Sequence, residues 1–564
     1  MKKSKFLMFL TFSLVLSLFL TACGAGGNNN AQNGGTGTDQ QAGEGEPTGP
    51  QVLNVLESAE IPTMDSVLGT DAVAFNVMNN VFEGLYRLDE NDEIVEGIAT
   101  THEVNEEGTV YTFTLREDAV WSNGTPVTAN DFVFAWQRAV NPETGSEYGP
   151  YMMTGKIQNA TEVANGDLPI EELGVKALDD YTLEVTLEQP VAYFLSLMTF
   201  PTFYPQNQEF VEEQGDRYAL EPEHLIYNGP FVLDSWEHEV GWTMKKNADY
   251  WDAETVVLDE INVKVVKEVS TGVNLYTTGN IDISPGLSSE FVTQFQNDPN
   301  LTQELEPVIF WLKLNQTRNE ALANENIRRA IAMAVNKENL TNIILNNGSI
   351  PADYFIPTGF VTHPETGEDF RDEYGNFNSF NVEEAQQLWQ QGLDELGVDS
   401  VTLEILGGDT ESAKRMQEYF QNQFETNLPG LTIRLKEVPF AQRLQLDEQL
   451  DYDMQVAGWG PDYLDAISFA NLWVTDGGNN KMGYSNEEYD QLINDVMTTH
   501  ANDPAARFEA MQEAERIALE EDAAIVPLYQ RGTTRLWQPY VKNVYQHNFG
   551  PDFTYKWTYI TGKN

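Results

Sequence analysis

The chain has 564 residues, too many for one hydrophobic core, and its 41% hydrophobic and 11% aromatic content is that of an ordinary globular protein of about two to four domains. Against 88 Asp and Glu stand 32 Lys and Arg, a formal charge of −56 that repels phosphate backbones and anionic lipid heads and so argues against nucleic-acid and membrane-surface binding. The acids are scattered along the chain, which reads as a solvated surface suited to salty or alkaline surroundings, with a selector for cationic ligands as the alternative.

Lys2, Lys3 and Lys5 form a positive start, Phe6 to Leu20 an apolar run too short to span a bilayer comfortably, and Leu20-Thr21-Ala22-Cys23 a cleavage site with small residues before a cysteine. These residues resemble the lipobox of bacterial lipoproteins. The resemblance implies a signal peptide over 1–22 and a mature N-terminus at Cys23 that carries a diacylglyceryl thioether, so the membrane is reached through the lipid anchor only. An N-terminal transmembrane helix is the competing reading, but no stop-transfer flank follows. Cys23 is the only cysteine, which leaves no disulfide, no cysteine zinc site and no catalytic thiol. Residues 23–50, mostly Gly, Asn, Gln, Thr and Glu, read as a flexible tether.

The folded body opens with an alternating strand from Gln51 to Leu56, and beyond Pro62 a helix carries Phe75, Met78, Asn79 and Phe82. Thr109 to Leu115 alternates cleanly, as a half-buried strand does. After the turn Ser122-Asn123-Gly124-Thr125-Pro126, Thr128 and Asp131 form a near capping box for a helix bearing Phe132, Val133, Ala135 and Trp136, which Asn141-Pro142 ends. Leu173 to Leu187 reads as a hairpin that turns at Asp179-Asp180. Phe231 to Val266 is strand-rich, and its Trp236, Trp242 and Trp251 suit core and cross-strand packing better than a cofactor box.

Asn326 to Lys337 has the strongest helical pattern, with Ile327, Ala330, Ile331, Ala334 and Val335 on one stripe, Asn326 placed to cap it, and Arg328 and Arg329 beside the stripe. From Val382 the elements alternate: helix to Leu396, strand Val401 to Leu406, helix Glu411 to Glu425, strand Leu431 to Glu437, helix Phe440 to Leu446, strand Tyr452 to Ala457. Strands separated by helices of this length predict right-handed crossovers and a largely parallel sheet. A last helix from Pro504 to Glu520 leads into a strand over Ala524 to Tyr529, and the aromatic tail from Trp537 to Tyr559 is too apolar to hang free, so it is expected to pack back on another lobe.

Just past the strand at Tyr452, Gly458-Trp459-Gly460-Pro461 predicts a bend that exposes backbone and delivers Asp462 and Tyr463, at the place where open α/β sheets hold their ligand crevices. A ligand with its own backbone suits this stretch. An extended peptide adds to a strand edge through main-chain hydrogen bonds, and one carboxylate holds an ammonium. By itself, an Asp after Gly-Pro is also an ordinary turn residue.

Catalytic patterns are absent: there is no Gly-x-Ser-x-Gly elbow, no His-Glu-x-x-His, no phosphate loop and no EF-hand spacing. The six histidines, His102, His224, His238, His363, His500 and His547, have no ligand-like spacing. Neither a metal, a cofactor nor an enzymatic activity is expected.

Several ordered stretches, among them Phe82-Glu83-Gly84-Leu85, Trp121 to Phe132, Leu173 to Asp180, Asn228-Gly229-Pro230-Phe231, Asn247 to Trp251, Ile327 to Ile331 and Ala457-Gly458-Trp459 with Asp462-Tyr463, resemble the large solute-binding proteins of bacterial peptide ABC importers, family 5, in the oligopeptide-binding branch. The resemblance spans nearly all of Val52 to Tyr559. It implies an α/β clamshell of the periplasmic-binding-protein type with three lobes: lobe I over 51–82, 207–308 and 530–564, an inserted mixed lobe II over 83–206, and lobe III over 309–529. It further implies a monomeric, lipid-anchored receptor on the outer face of the cell membrane that holds oligopeptides between lobes I and III and passes them to permease subunits.

By the same resemblance Asp462 binds the ligand's α-ammonium, and Gly458, Gly460, Thr70 and Ala72 offer main-chain contacts. A ligand-facing tyrosine falls on Tyr148 and Phe440 lines a side-chain pocket, while Trp459 and Tyr463, from the motif itself, are expected as flat apolar walls of the site. Members that fix short peptides carry an arginine two residues before the Gly-Trp pair, where this chain has Val456; with no other carboxylate clamp in view, length selection is expected to be loose. Receptors of the same fold for nickel complexes, haem, sugars or signalling peptides, and an exported hydrolase, are the alternatives.

Overall fold

A computed structural model describes residues 45–372 and 375–563; the expected signal peptide, Cys23 and most of the expected tether lie outside the described residues. The body starts with β1 (Val52–Glu57), and Asp71 then caps α1 (Ala72–Val81) by accepting from the Ala74 amide at 3.0 Å. Next come β2 (Ala99–Val104), β3 (Val110–Leu115), α2 (Ala129–Val140), the short α3 (Tyr148–Met153), β4 (Val175–Asp179) and β5 (Thr182–Thr186). The capping box at α2 forms as its sequence predicts, the Thr128 amide donating to Asp131 at 2.7 Å. β2 to β5 build one antiparallel sheet in the order β2-β3-β5-β4.

β6 (Phe231–Glu237), β7 (Gly241–Lys246) and β8 (Glu260–Val265) complete a second sheet in the order β1-β8-β7-β6, in which only β1 and β8 run parallel. Trp236 and Trp242 face each other across the β6–β7 ladder, the cross-strand role their spacing predicts.

The next strand, β9 (Leu301–Leu314), has no counterpart in the expected elements. Its first half carries Gln303, Glu304, Glu306 and Pro307, and its second half is nearly continuous apolar, so neither strand periodicity runs through it. α4 (Glu325–Met333) follows with Ile327, Ala330 and Ile331 buried, but Asn324 and not Asn326 caps it, accepting from the Ile327 amide at 3.1 Å. The reason is local: the turn Glu320–Ala323 ends on Asn324, which closes one helix and opens the next, while Asn326 donates to Glu395 from inside the first turn. Arg328 is buried too and donates to the carbonyls of Leu322, Ala323 and Asp522.

β10 (Ile350–Pro351), α5 (Val382–Leu396), β11 (Val401–Gly408), α6 (Glu411–Asn427), β12 (Leu431–Val438), α7 (Phe440–Glu448), β13 (Met454–Trp459), α8 (Pro504–Arg516) and β14 (Ile525–Leu536) finish the third sheet and its covering helices. Its order is β10-β14-β9-β13-β11-β12. Only β11, β12 and β13, the strands joined by helical crossovers, are mutually parallel. The expected largely parallel sheet is therefore half right: β9 enters beside β13 and is antiparallel both to it and to β14, which makes the sheet mixed.

Strand β13 also runs two residues further than its sequence pattern predicts, so Gly458 and Trp459 still belong to the ladder and the bend begins at Gly460. The aromatic tail folds back onto α1, where the Asn80 side chain donates to the Phe553 carbonyl at 3.1 Å and accepts from the Tyr555 amide at 2.9 Å. Among the described residues no helix is long and apolar enough to cross a membrane.

Candidate functional site

Strand β13 is the floor of the site. On one side Val456, Ala457, Gly458 and Trp459 pair with Leu312, Trp311, Phe310 and Ile309 of β9. On the other side β11 pairs only with Met454 and Gln455, because β11 continues instead along β12 to Gly408 and Val438. The two strands fork, and among the described residues one edge of the chain from Val456 to Gly460, just past the end of β13, pairs with no strand. That edge opens on a cavity of about 690 Å³, which shares Phe310, Phe440, Arg443 and Gly458 in its lining with a second compartment of about 400 Å³. Volumes of this size hold a small or medium ligand.

Glycine at 458 has a packing reason inside the protein. A Cβ there would meet the Phe310 ring at 2.7 Å, a ring that itself stacks on Tyr529 with centroids 4.9 Å apart. At Gly460 a Cβ would touch Val308 at 3.3 Å. Gly458 is therefore small because β9 crowds it, and the free edge comes from the fork.

Asp462 lies two residues beyond Gly460, 6% exposed, its amide donating to the Ser468 hydroxyl at 2.8 Å. Its Oδ2 is buried without a hydrogen-bond partner and the residue lines the cavity. Burial pushes the carboxyl well above the usual carboxylate range, an effect the Tyr151 hydroxyl offsets only in part. A buried, unpaired carboxyl is costly to keep, and a cation that arrives with donors removes the cost.

Thr70, Ala72, Tyr148, Gly458, Trp459, Gly460 and Phe440 join Asp462 in the lining. Tyr148 stacks on Phe200 at 5.8 Å and 5°, and on Trp459 at 6.3 Å and 22°, so it contributes a rigid aromatic wall. Tyr463 is not brought there: it is fully buried and stacks on Tyr193 at 4.7 Å and 7°, turning its ring into the core, because the chain bend presents consecutive side chains in different directions.

Two charged residues of the cavity escaped the sequence reading. Asp71, between Thr70 and Ala72, spends Oδ1 on the α1 cap and leaves Oδ2 buried and unpartnered, and burial raises its pKa to about 7. Its signal was the capping pattern, which says nothing of the second oxygen. Arg443, on α7, reaches the very residue where the expected arginine is missing: its Nη1 lies 3.3 Å from the Val456 carbonyl, and its guanidinium sits 5.1 Å over the Phe440 ring. Nothing in the one-dimensional spacing links position 443 to 456; only the tertiary placement of α7, which packs on β11 beside β13, does. Of the other lining cations, Lys267 pairs with Asp409 at 2.8 Å, Lys313 with Asp447 at 2.6 Å, Lys481 with Glu448 at 2.8 Å and with Glu147, Arg415 with Glu411 at 3.2 Å and Arg531 with Glu306, while Arg535 has no carboxylate within 4.0 Å among the described residues.

A cleft beside a free strand edge, with an unpaired buried carboxyl in its lining, is the form of a ligand-binding site. The model of the bacterial extracellular solute-binding proteins, family 5 (middle), matches residues 93–481, and the chain belongs to that family, one of transport receptors and not of enzymes.

Several of its relatives are peptide-binding proteins by name. The chain is similar to Listeria monocytogenes OppA bound to peptide, with 45% identity, a TM-score of 0.88, and 92% of this chain and 100% of that chain covered. It is 32% identical over 554 residues to the dipeptide-binding protein DppE of Bacillus subtilis, covering 98% of both chains. The pheromone receptor PrgZ is similar at 33% identity and a TM-score of 0.86, with 91% and 99% covered.

Proposed function

We propose that this chain is a lipid-anchored receptor outside the cytoplasmic membrane that captures extended oligopeptides and delivers them to the permease of an ABC importer. The observation that carries the peptide reading is the free edge of β13 leading to the unpaired Asp462 carboxyl. A peptide laid along that edge, antiparallel to β13, makes main-chain hydrogen bonds from Val456 to Gly460 and brings its α-ammonium to Asp462. The aromatic wall of Tyr148 and Trp459, the Thr70–Ala72 segment and Phe440 receive its side chains and backbone. Anchoring through Cys23 rests on the N-terminal sequence, and delivery to a permease on the company of named peptide-binding relatives.

In this reading lobe I, the inserted lobe II and lobe III close on the ligand about β9 and β14, whose ladder is interrupted between Leu305 and Ile309, where lobes I and III were expected to meet. The likeness to PrgZ favours a second reading, in which the captured peptide is a signal and not a nutrient; both use the same site.

Calorimetry with Asp462→Asn tests the ammonium role. We expect binding of free-amine peptides to weaken by about 1.5–3 kcal/mol while N-acetylated peptides are unaffected by the substitution. Equal loss for both overturns it. Mass spectrometry of peptides that copurify with the protein separates the nutritional from the signalling reading: a broad mixture supports the first, a single sequence the second.

A further inference from the structure

Among the cations that line the cavity, Arg443 stands apart. It makes no ion pair within 4.0 Å among the described residues, whereas Lys267, Lys313, Lys481 and Arg531 are each held by a carboxylate. Its guanidinium has one neutral acceptor, the Val456 carbonyl, and with the Gln455 side chain turned to satisfy its own neighbours a second, the Gln455 Oε1 at 3.1 Å. Both contacts use Nη1. Five donors in a rigid fork therefore meet two neutral acceptors, and the residue lines both compartments of the cavity. Of the carboxylates in the same cavity, Asp447 is held by Lys313, and Asp71 spends one oxygen on the cap of α1 and leaves the other unpartnered.

Arg535, the other lining arginine without an ion pair, donates to Gln546 at 3.1 Å and lies over Phe553 at 5.3 Å. It sits on β14 five residues past Gln530, the partner of Ile309, and so beyond the Trp459 end of the free edge and not at the Val456 end.

We infer that Arg443 receives the α-carboxylate of short peptides and so makes the site prefer a particular length. The inference rests on the peptide reading above, with the ammonium at Asp462. From Val456 to Gly460 the edge spans four residue steps, about 13 Å at roughly 3.3 Å per step, the length of an extended chain of about four or five residues. A planar arginine is the group that pairs a carboxylate through two parallel hydrogen bonds. Longer peptides pass Arg443 into the 400 Å³ compartment, walled by Ile61, Trp236, Met416 and Phe440, and forgo that pair. The expectation of loose length selection, drawn from Val456, changes to a preference supplied from α7.

The test uses the purified mature protein, alanine peptides of three to eight residues, their C-terminal amides, and a tetrapeptide amide with one internal Glu. For the wild type we expect the free acids of four and five residues to bind about tenfold to a hundredfold more tightly than their amides, with a smaller difference at eight. Arg443→Gln should abolish that difference while leaving the amides unchanged, and Arg443→Lys should restore part of it. Recovery of tight binding by the Glu-containing amide would assign the guanidinium to an acidic side chain instead and overturn the inference. Equal affinity of acid and amide in the wild type, or equal loss of both in Arg443→Gln at unchanged thermal stability, also overturns it. If neither acids nor amides bind and N-acetylation of a copurified ligand costs nothing, the peptide reading itself fails.

Discussion

Asp462 holds a carboxyl out of water with no partner on one oxygen, and that state has consequences for both stability and pH. Its pKa in the empty fold is raised by burial, so its contribution to folding is favourable at low pH and is lost as pH rises through the folded value. Asp462→Asn should accordingly make the empty protein more stable at neutral pH, by about 1–2 kcal/mol, with a higher melting temperature in calorimetry and weaker free-amine peptide binding in the same preparation. Binding carries the opposite sign, since the ammonium needs the ionised form. Affinity for free-amine peptides should fall as pH falls, with proton release measurable by titrating in buffers of different ionisation enthalpy. Asp71, with a pKa of about 7, titrates in the same cavity, so the part of the pH dependence that vanishes in Asp462→Asn is the part assigned to residue 462. Tyr463, by contrast, belongs to the core: Tyr463→Ala should cost about 3–5 kcal/mol of stability, while Tyr463→Phe should leave peptide affinity unchanged.

At the scale of elements, what was legible in the sequence followed local rules. Helix α5, β11 and β12 start where the periodicity predicts them, at Val382, Val401 and Leu431. What was not legible depends on partners distant in the chain. The end of β13 is set by β9, whose mixed composition hides it, and the fork that frees the β13 edge exists only because β11 prefers β12 over its last residues. Asp462 could be named from its motif; Arg443 could not, because its relation to Val456 is tertiary. The tight contact under the floor makes a further prediction. In Gly458→Ala the new methyl would press on the Phe310 ring from 2.7 Å, and that ring cannot swing away from its stack on Tyr529. We expect a loss of about 1–3 kcal/mol in unfolding experiments, relieved in the double variant with Phe310→Leu if the clash and not a lost backbone freedom is the cause.

For the molecule as a whole, closure and charge act together. Lys267, just after β8 of the second sheet, meets Asp409, just after β11 of the third, at 2.8 Å, and the pair lies at the second compartment. Both side chains are partly exposed, 30% and 23%, so the pair contributes at most about 1 kcal/mol to the closed form and less in salt. A ligand drives closure only through its own preference for the closed state, so the energy for bringing the sheets together comes mainly from the peptide and not from this bridge. Lys267→Ala should weaken peptide binding no more than about fivefold, an effect that shrinks in molar salt. Against that small attraction stands the self-repulsion of a chain with formal charge −56, which opposes every compact arrangement. Raising sodium chloride from about 10 mM to 1 M shortens the screening length from roughly 30 Å to 3 Å. Unfolding scans across that range should therefore show the melting temperature climbing with salt, in the empty protein and in the complex alike. A melting temperature that falls would mean that specific ion pairs such as Lys267–Asp409, Lys313–Asp447 and Arg531–Glu306 outweigh the net charge, and that the acidic surface carries no stability penalty for salt to remove.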